Sequence, residues 1–224
     1  MASPRIGVVL SGCGVFDGAE IHEAVCTLLA IDEAGAEAVC LAPDVEFDEI
    51  DHLTQTPTGQ RRSALREAAR IARGKIQSTA EVDPDDLDAL IFPGGFGAAK
   101  NLCDFAERGP DCKSLPEIER LVLAMHGAKK PIGFACIAPA LAAKIMQRVG
   151  GAELTIGKDP GTAKAIEKMG SRHVVAPVQE AVVDRSNLIV TTPAYMLGPS
   201  IAPVCAGIRK MVQEVIALSR VTLT

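Results

Sequence analysis

The stretch SGCGVFDGAEIHEAV, Ser11 to Val25, joins an apolar run to a helical pattern and carries two kinds of chemical group. Gly12, Gly14 and Gly18 are spaced G-x-G-x-x-x-G, close to a loop that cradles a pyrophosphate at a helix N-terminus. Cys13, Asp17, Glu20 and Glu23 offer a thiol and three carboxylates instead, the makings of one wall of an acid–base site. Charge favours the second reading, because Glu20 and Glu23 sit where a phosphate needs positive potential. Asp44, the acidic residue after the next strand, is also no convincing ribose partner.

Asp17 and Glu20 are three apart at the helix start, so both fit a capping box with Asp17 as N-cap. Glu23 has no such structural job. On a helical wheel it lies away from the stripe Ile21, Ala24, Val25, Leu28 and Leu29, and an ordinary solvated glutamate is one reading of it. Helical side chains lean toward the N-terminus, however, which would carry its carboxylate over the mouth of a site. Desolvated there, its pKa would rise into the range useful for proton transfer.

The matching nucleophile is Cys136, where the run PIGFA stops and the helical pattern CIAPALAAKIMQRV begins. Pro139 suits the first helical turn, so the bend is abrupt, as in a nucleophile elbow, and the helix N-terminus favours a thiolate. Phe134 is bulky where an elbow prefers a small residue, while Ala135 and Ala138 are small. The competing reading is a buried, inert thiol. Gly94, Gly95 and Gly97 end another strand at the same edge, and their N–H groups, with that of Ile137, could hold an oxyanion. A tight turn without a ligand is the alternative for these glycines. Cys13 could reach the rim of the same pocket, with buried packing as its alternative. His22, His126 and His173 read as solvated or structural.

To bring these segments together the chain must place them at one sheet edge. RIGVVLS, GAEAVCLAP, LDALIFPGG and PIGFA read as short buried strands, each followed by a helical pattern. HVVAPVQEAVVDRSNLIVTTPAYM reads as two strands about a DRSN turn, with a closing helix from about Pro199 to Ser219. Such alternation predicts a single α/β domain over 1–224, a mostly parallel sheet covered on both faces. Ligands in such folds sit beyond the carboxyl ends of the strands, near the switch in strand order. DVEFDEIDHLTQTPTGQ, residues 44–60, looks irregular, and QRRSALREAARIAR, with five Arg, reads as a solvated helix.

Composition narrows the partners. Of 224 residues, 48% are hydrophobic and 23% charged, which is globular composition, and the net charge of −5 with no Trp and one Tyr speaks against nucleic acid. The longest unbroken apolar run has 13 residues, too short to span a bilayer, so no membrane partner is expected. Seven cysteines without C-x-x-C spacing argue against a disulfide framework and a zinc site. With the first strand beginning near Arg5, a cytoplasmic protein is expected.

Taken in order, SGCGVFDGAEIHEAV, FPGGFGAAKNLCDFA, GFACIAPALAAKI, LTIGKDPGTA and IVTTPAYM resemble the class I glutamine amidotransferase-like superfamily over nearly the whole chain. More closely they resemble its glyoxalase-like branch, typified by enhancing lycopene biosynthesis protein 2 (ElbB). The resemblance implies a flavodoxin-like three-layer sandwich, a reactive cysteine at Cys136, a facing glutamate at Glu23, and oxyanion amides at Gly95 and Ile137. It implies a glutathione-independent lyase that needs no cofactor and no metal, hydrating a small dicarbonyl, glyoxal and more weakly methylglyoxal, to the 2-hydroxy acid. A homodimer is expected by analogy. Glutamine amidotransferases carry a His followed by a Glu after the last core strand, but here TTPAYM offers no histidine, so glutamine hydrolysis lacks its base. LTIGKDPGT offers Lys158, Asp159 and Thr162 in place of a histidine of some relatives, and Asp159 is a candidate substrate contact. The alternative is a non-catalytic redox-sensing or chaperone-like protein linked to isoprenoid metabolism, since a low-pKa, accessible Cys136 thiol would serve either role.

Overall fold

A computed structural model describes residues 3–222. In chain order the elements are β1 (Arg5–Val9), α1 (Ile21–Glu33), β2 (Glu37–Ala42), β3 (Glu46–Asp51), β4 (Thr56–Ser63), α2 (Ala64–Ile71), β5 (Gln77–Ser78) and β6 (Ala89–Phe92). There follow α3 (Phe96–Lys100), α4 (Phe105–Arg108), α5 (Pro116–Gly127), β7 (Ile132–Ala135), α6 (Ala138–Met146), β8 (Glu153–Leu154) and α7 (Pro160–Lys168). The last are β9 (Arg172–His173), β10 (Val182–Asp184), β11 (Ile189–Thr192) and α8 (Ile201–Thr222).

Seven strands form one sheet in the order β10-β11-β7-β6-β1-β2-β5. All neighbours are parallel except β10, which pairs antiparallel with β11 across the 185–188 turn. The chain runs outward from β1 to β2 and β5, then returns to β6 on the other side of β1. The order therefore switches between β1 and β6, and the loops leaving these strands open the crevice where this class of sheet binds ligands.

The central strands are apolar runs because both faces are covered. Successive side chains of β6 alternate: Leu90 and Phe92 enter one core with α5 and α6, while Ala89 and Ile91 enter the other with α1 and α8. Phe92 and Phe134 are register partners whose rings stack with centroids 4.8 Å apart and planes 10° from parallel. That stack absorbs the bulk of Phe134 in the core, so it does not obstruct the turn at Cys136.

Two local expectations are corrected. The 44–60 stretch, expected to be irregular, and the first residues of the expected Arg-rich helix form the antiparallel β3–β4 hairpin over 46–63, and the helix starts only at Ala64. Most of β4 is exposed, so the segment lacks the apolar alternation that marks a half-buried strand. On α1 the buried face is Glu23, Ala24, Cys26, Thr27, Ala30 and Ile31, whereas Ile21, Val25 and Leu29 are 43%, 50% and 45% exposed. The helix is thus turned away from its most apolar stripe, because small residues and one glutamate fit the sheet's carboxyl edge.

The aromatic stack should carry a large share of one core's cohesion. Phe92→Ala is expected to cost about 3–5 kcal/mol in urea unfolding; a loss below about 1 kcal/mol would contradict this packing.

Candidate active site

Ala135 ends β7 and Ile137 caps α6, leaving Cys136 as a one-residue corner. Its φ is +60°, a left-handed value rare for a residue with a side chain, and its N–H donates to the Thr192 carbonyl at 3.0 Å. The strain is the signature of the predicted elbow, and it swings the thiol out of the sheet toward α1.

Glu23, in the first turn of α1, is fully buried. Its Oε2 accepts the Gly94 N–H at 2.8 Å and its Oε1 accepts the Tyr195 N–H at 3.1 Å. The Cys136 side chain lies on the same side of Gly94 as this carboxylate, and its thiol acts to lower the Glu23 pKa. The backbone N–H groups of Gly95 and Ile137 lie near enough to the Cys136 sulfur to favour its thiolate. Four segments thus converge on one thiol and one carboxylate, and the structure brings together Cys136, Glu23, Gly95 and Ile137.

Close approach explains the glycines. A Cβ on Gly94 would lie 2.3 Å from the Cys136 Cβ and 2.6 Å from the Glu23 Oε2. Gly95 has φ +93° and would drive a Cβ to 2.4 Å from the Glu20 nitrogen and the Gly18 carbonyl. The two glycine loops are also stitched together by Glu20 N–H to Gly94 O, Phe96 N–H to Val15 O and Gly97 N–H to Gly18 O, at 2.9, 2.8 and 2.9 Å.

Burial governs the electrostatics. It pushes the Glu23 carboxyl up to about 7; the Tyr195 and Gly94 N–H groups pull it down, while the Glu20 charge adds to the rise. Burial, then the Glu23 charge, raises the Cys136 thiol well above its ordinary range, against the opposing N–H groups of Gly95 and Ile137. The expected low-pKa, accessible thiolate is therefore corrected: Cys136 is 8% exposed and holds its proton at rest. The amides at the helix start are outweighed by desolvation and by a carboxylate in contact.

Other sequence candidates take different places. The N-cap of α1 is Glu20, whose Oε2 accepts the Glu23 N–H at 2.7 Å, and not Asp17. Asp17 accepts the Ile50 N–H at 2.9 Å and so pins the β3–β4 hairpin to the first loop. A carboxylate already occupies the helix start, which removes the phosphate-loop alternative on the same ground that its charge suggested. Cys13 lines a separate cavity of about 230 Å³ under the hairpin, beside Asp17, His52 and Arg62, its thiol raised first by burial. Asp159 caps α7: it accepts the Thr162 N–H at 2.7 Å, which lowers its carboxyl, and the contacts that define the Cys136 site do not include it. Among the described residues, no group of three or more His, Cys, Asp or Glu could hold a metal ion.

Sequence reasoning missed Tyr195. TTPAYM gives a strand end and no histidine to the eye, yet the Tyr195 backbone N–H holds Glu23 and the Tyr195 hydroxyl meets the His22 Nδ1 at 2.7 Å. Only the position after the last core strand hinted at this, since a backbone amide leaves no mark in residue type. His126 meets Asn187 at 3.1 Å, and His173 accepts the Ile156 N–H at 3.4 Å, both structural roles as expected.

No protein-family model matches the sequence. Among curated proteins, the chain is 47% identical over 226 residues to the ES1 protein homolog, mitochondrial, of Rattus norvegicus, covering 96% of this chain and 84% of that protein. It is equally, 47%, identical over 226 residues to glutamine amidotransferase-like class 1 domain-containing protein 3, mitochondrial, of Homo sapiens, covering 96% and 83%. A crystal structure titled isoprenoid biosynthesis protein with amidotransferase-like domain, from Ehrlichia chaffeensis, superposes with a TM-score of 0.89 at 34% identity, covering 95% of this chain and 99% of that one. A ThiJ/PfpI domain protein from Brachyspira murdochii shares the fold, with a TM-score of 0.60 at 14% identity and 99% of each chain covered.

The expected cytoplasmic location is overturned by the curated relatives, which are named mitochondrial. Free thiols report a reducing compartment and do not distinguish one such compartment from another. With a buried Cys136–Glu23 pair on this fold and near half-identity to two curated proteins over almost its whole length, the chain belongs to the ES1 family of glutamine amidotransferase-like class 1 domain-containing proteins.

Proposed function

We propose that this chain is a cofactor-independent, glyoxalase-type lyase of the ElbB kind, hydrating glyoxal, and more weakly methylglyoxal, to the 2-hydroxy acid. The observation that carries the proposal is the fully buried Glu23 carboxylate, raised to about 7, beside the Cys136 thiol. A base poised at working pH against a protonated nucleophile is suited to sequential proton transfers.

In the first step Glu23 takes the thiol proton as the Cys136 sulfur bonds to one aldehyde carbon. The Gly95 and Ile137 N–H groups, which act on the sulfur, stand near the developing oxyanion, which receives the proton to give a hemithioacetal. Glu23 then removes the hydrogen from that carbon, and the neighbouring carbonyl takes up a proton to form an enediol. Return of a proton to the second carbon leaves a thioester. Water cleaves the thioester, releasing the 2-hydroxy acid and restoring the Cys136 thiol, so one water is consumed overall. No histidine is required, because one carboxylate reaches both the thiol and the carbon attached to it. A buried, protonated thiol is a poor peroxide sensor, and this favours the enzymatic reading of Cys136 over the redox-sensing one.

Following glycolate from glyoxal tests the proposal. Wild type should form it catalytically, Cys136→Ser should fall to background, and Glu23→Gln should lose at least about 100-fold in kcat/KM. Equal glycolate from wild type and Cys136→Ser would refute the proposal. The base must be ionised to act, so wild-type kcat/KM should rise with pH through about 7 and then level. A rise centred near the ordinary glutamate value of 4.5 would remove Glu23 from the role of base.

Stability should run the opposite way. Between 4.5 and about 7 the folded protein keeps the Glu23 proton that the unfolded chain has released. Stability therefore falls across this window, by roughly 3 kcal/mol from this group alone. Glu23→Gln should lack that fall in denaturant unfolding at pH 5 and pH 8. A variant whose stability follows wild type across both values would contradict the assigned burial.

A further inference from the structure

Tyr195 is joined to the first turn of α1 at two points, and the chemistry proposed for Cys136 and Glu23 accounts for only one of them. Its backbone N–H donates to the Glu23 Oε1 at 3.1 Å, and its hydroxyl meets the Nδ1 of His22, the residue before Glu23, at 2.7 Å. The two rings have centroids 5.8 Å apart and planes tilted by 45°. The same His22 nitrogen lies 3.9 Å from the Glu20 Oε1, and the other Glu20 oxygen accepts the Glu23 N–H at 2.7 Å.

The turn that carries Tyr195 closes its own backbone hydrogen bonds. The N–H groups of Met196, Leu197 and Gly198 return to Pro193 and Ala194, at 3.0, 3.1 and 2.9 Å. Ala194, fully buried, has φ +44°, a left-handed value that a residue with a side chain keeps only where its surroundings hold it. A backbone N–H points wherever its turn points it, so its aim at Glu23 depends on what fixes the turn against α1. The Tyr195 hydroxyl supplies such a fixing point, one residue along the helix from the carboxylate it serves.

We propose that the His22–Tyr195 side-chain contact is a latch that positions the Glu23 carboxylate, by holding residue 195 where its backbone N–H stays on Oε1. His22 and Tyr195 are positioning residues, acting through Glu23. The latch survives a change of charge on His22: the hydroxyl donates to a neutral ring nitrogen, and a charged ring donates to the phenol oxygen. The titratable groups facing the hydroxyl are His22, Glu20, Glu23 and Cys26, and those facing the carboxylate are Glu20 and Cys136. Burial, then Glu20, Glu23 and Cys26, raises the Tyr195 hydroxyl, so it keeps its proton at neutral pH. The latch rests on the reading of Glu23 as the base and sets that base's poise. The Tyr195 N–H pulls the carboxyl down against burial, so a loosened turn lets it climb above 7.

The test titrates the Glu23 carboxyl by carbon-13 NMR in the whole protein without substrate, and measures kcat/KM with glyoxal against pH beside it. Tyr195→Phe keeps the ring and removes only the hydroxyl. Its Glu23 midpoint should rise by about one pH unit, as for loss of one N–H donor to a charged carboxylate, and the kcat/KM profile should move with it. His22→Ala should do the same, and both substitutions together should shift no further than either alone, because each breaks the same contact. His22→Asn carries no charge but keeps a polar atom near the Nδ1 position, and should retain the wild-type midpoint. A shift in His22→Asn equal to that in His22→Ala would overturn the latch, and so would an unchanged midpoint in Tyr195→Phe or additive shifts in the double variant. Midpoints that move as expected in a protein that forms no glycolate would uphold the latch and refute the proposed function.

Discussion

A carboxylate with no exposure to water is the constraint around which this molecule is arranged. Glu23 cannot be carried into the interior without partners, because an unpaired buried charge is among the most costly features a fold can hold. It is met by the Gly94 N–H from the loop after β6, the Tyr195 N–H from the segment after β11, and the Cys136 side chain from the corner after β7. Each donor comes from a separate crossing of the sheet. The consecutive order β11-β7-β6-β1 in the sheet is what allows them to reach one helix start.

The consequences extend to backbone and packing. Gly94 has no room for a side chain because the carboxylate and the thiol occupy its Cβ position. Cys136 adopts a left-handed backbone so that its sulfur faces the carboxylate instead of continuing β7. Helix α1 turns Glu23, Ala24 and Thr27 inward and leaves Ile21, Val25 and Leu29 in solvent, so site geometry overrides the hydrophobic preference of that helix. Partial satisfaction by two N–H groups, against full desolvation, leaves the carboxyl near 7 rather than deep in the acid range. That balance makes a glutamate a usable base without a histidine.

Much of this was legible from residue type. Apolar runs bounded by glycine or proline marked the strands of the central sheet, and a cysteine between PIGFA and a proline-led helix marked the elbow. Glu23 stood out because capping accounted for Asp17 and Glu20 and left it over, although the structure gives the cap to Glu20 alone. What stayed hidden has physical reasons. The Tyr195 contact runs through a backbone N–H, the same in every residue but proline. In the β3–β4 hairpin β4 is polar and mostly exposed, so it lacks the alternation by which a strand shows itself. The resting state of Cys136 depends on the depth of burial, which neither spacing nor helix position encodes. Location is a property of the whole relative, and here the named relatives corrected what composition had suggested.

The central claim is that Glu23 is a buried base poised near neutrality against Cys136. The most direct measurement is carbon-13 NMR of protein labelled at the glutamate side-chain carboxyl carbons, with Glu23 assigned by its loss in Glu23→Gln. The account predicts a Glu23 resonance titrating with a midpoint near 7, apart from the bulk of the glutamates. A midpoint near 4.5, in the ordinary range, would contradict it.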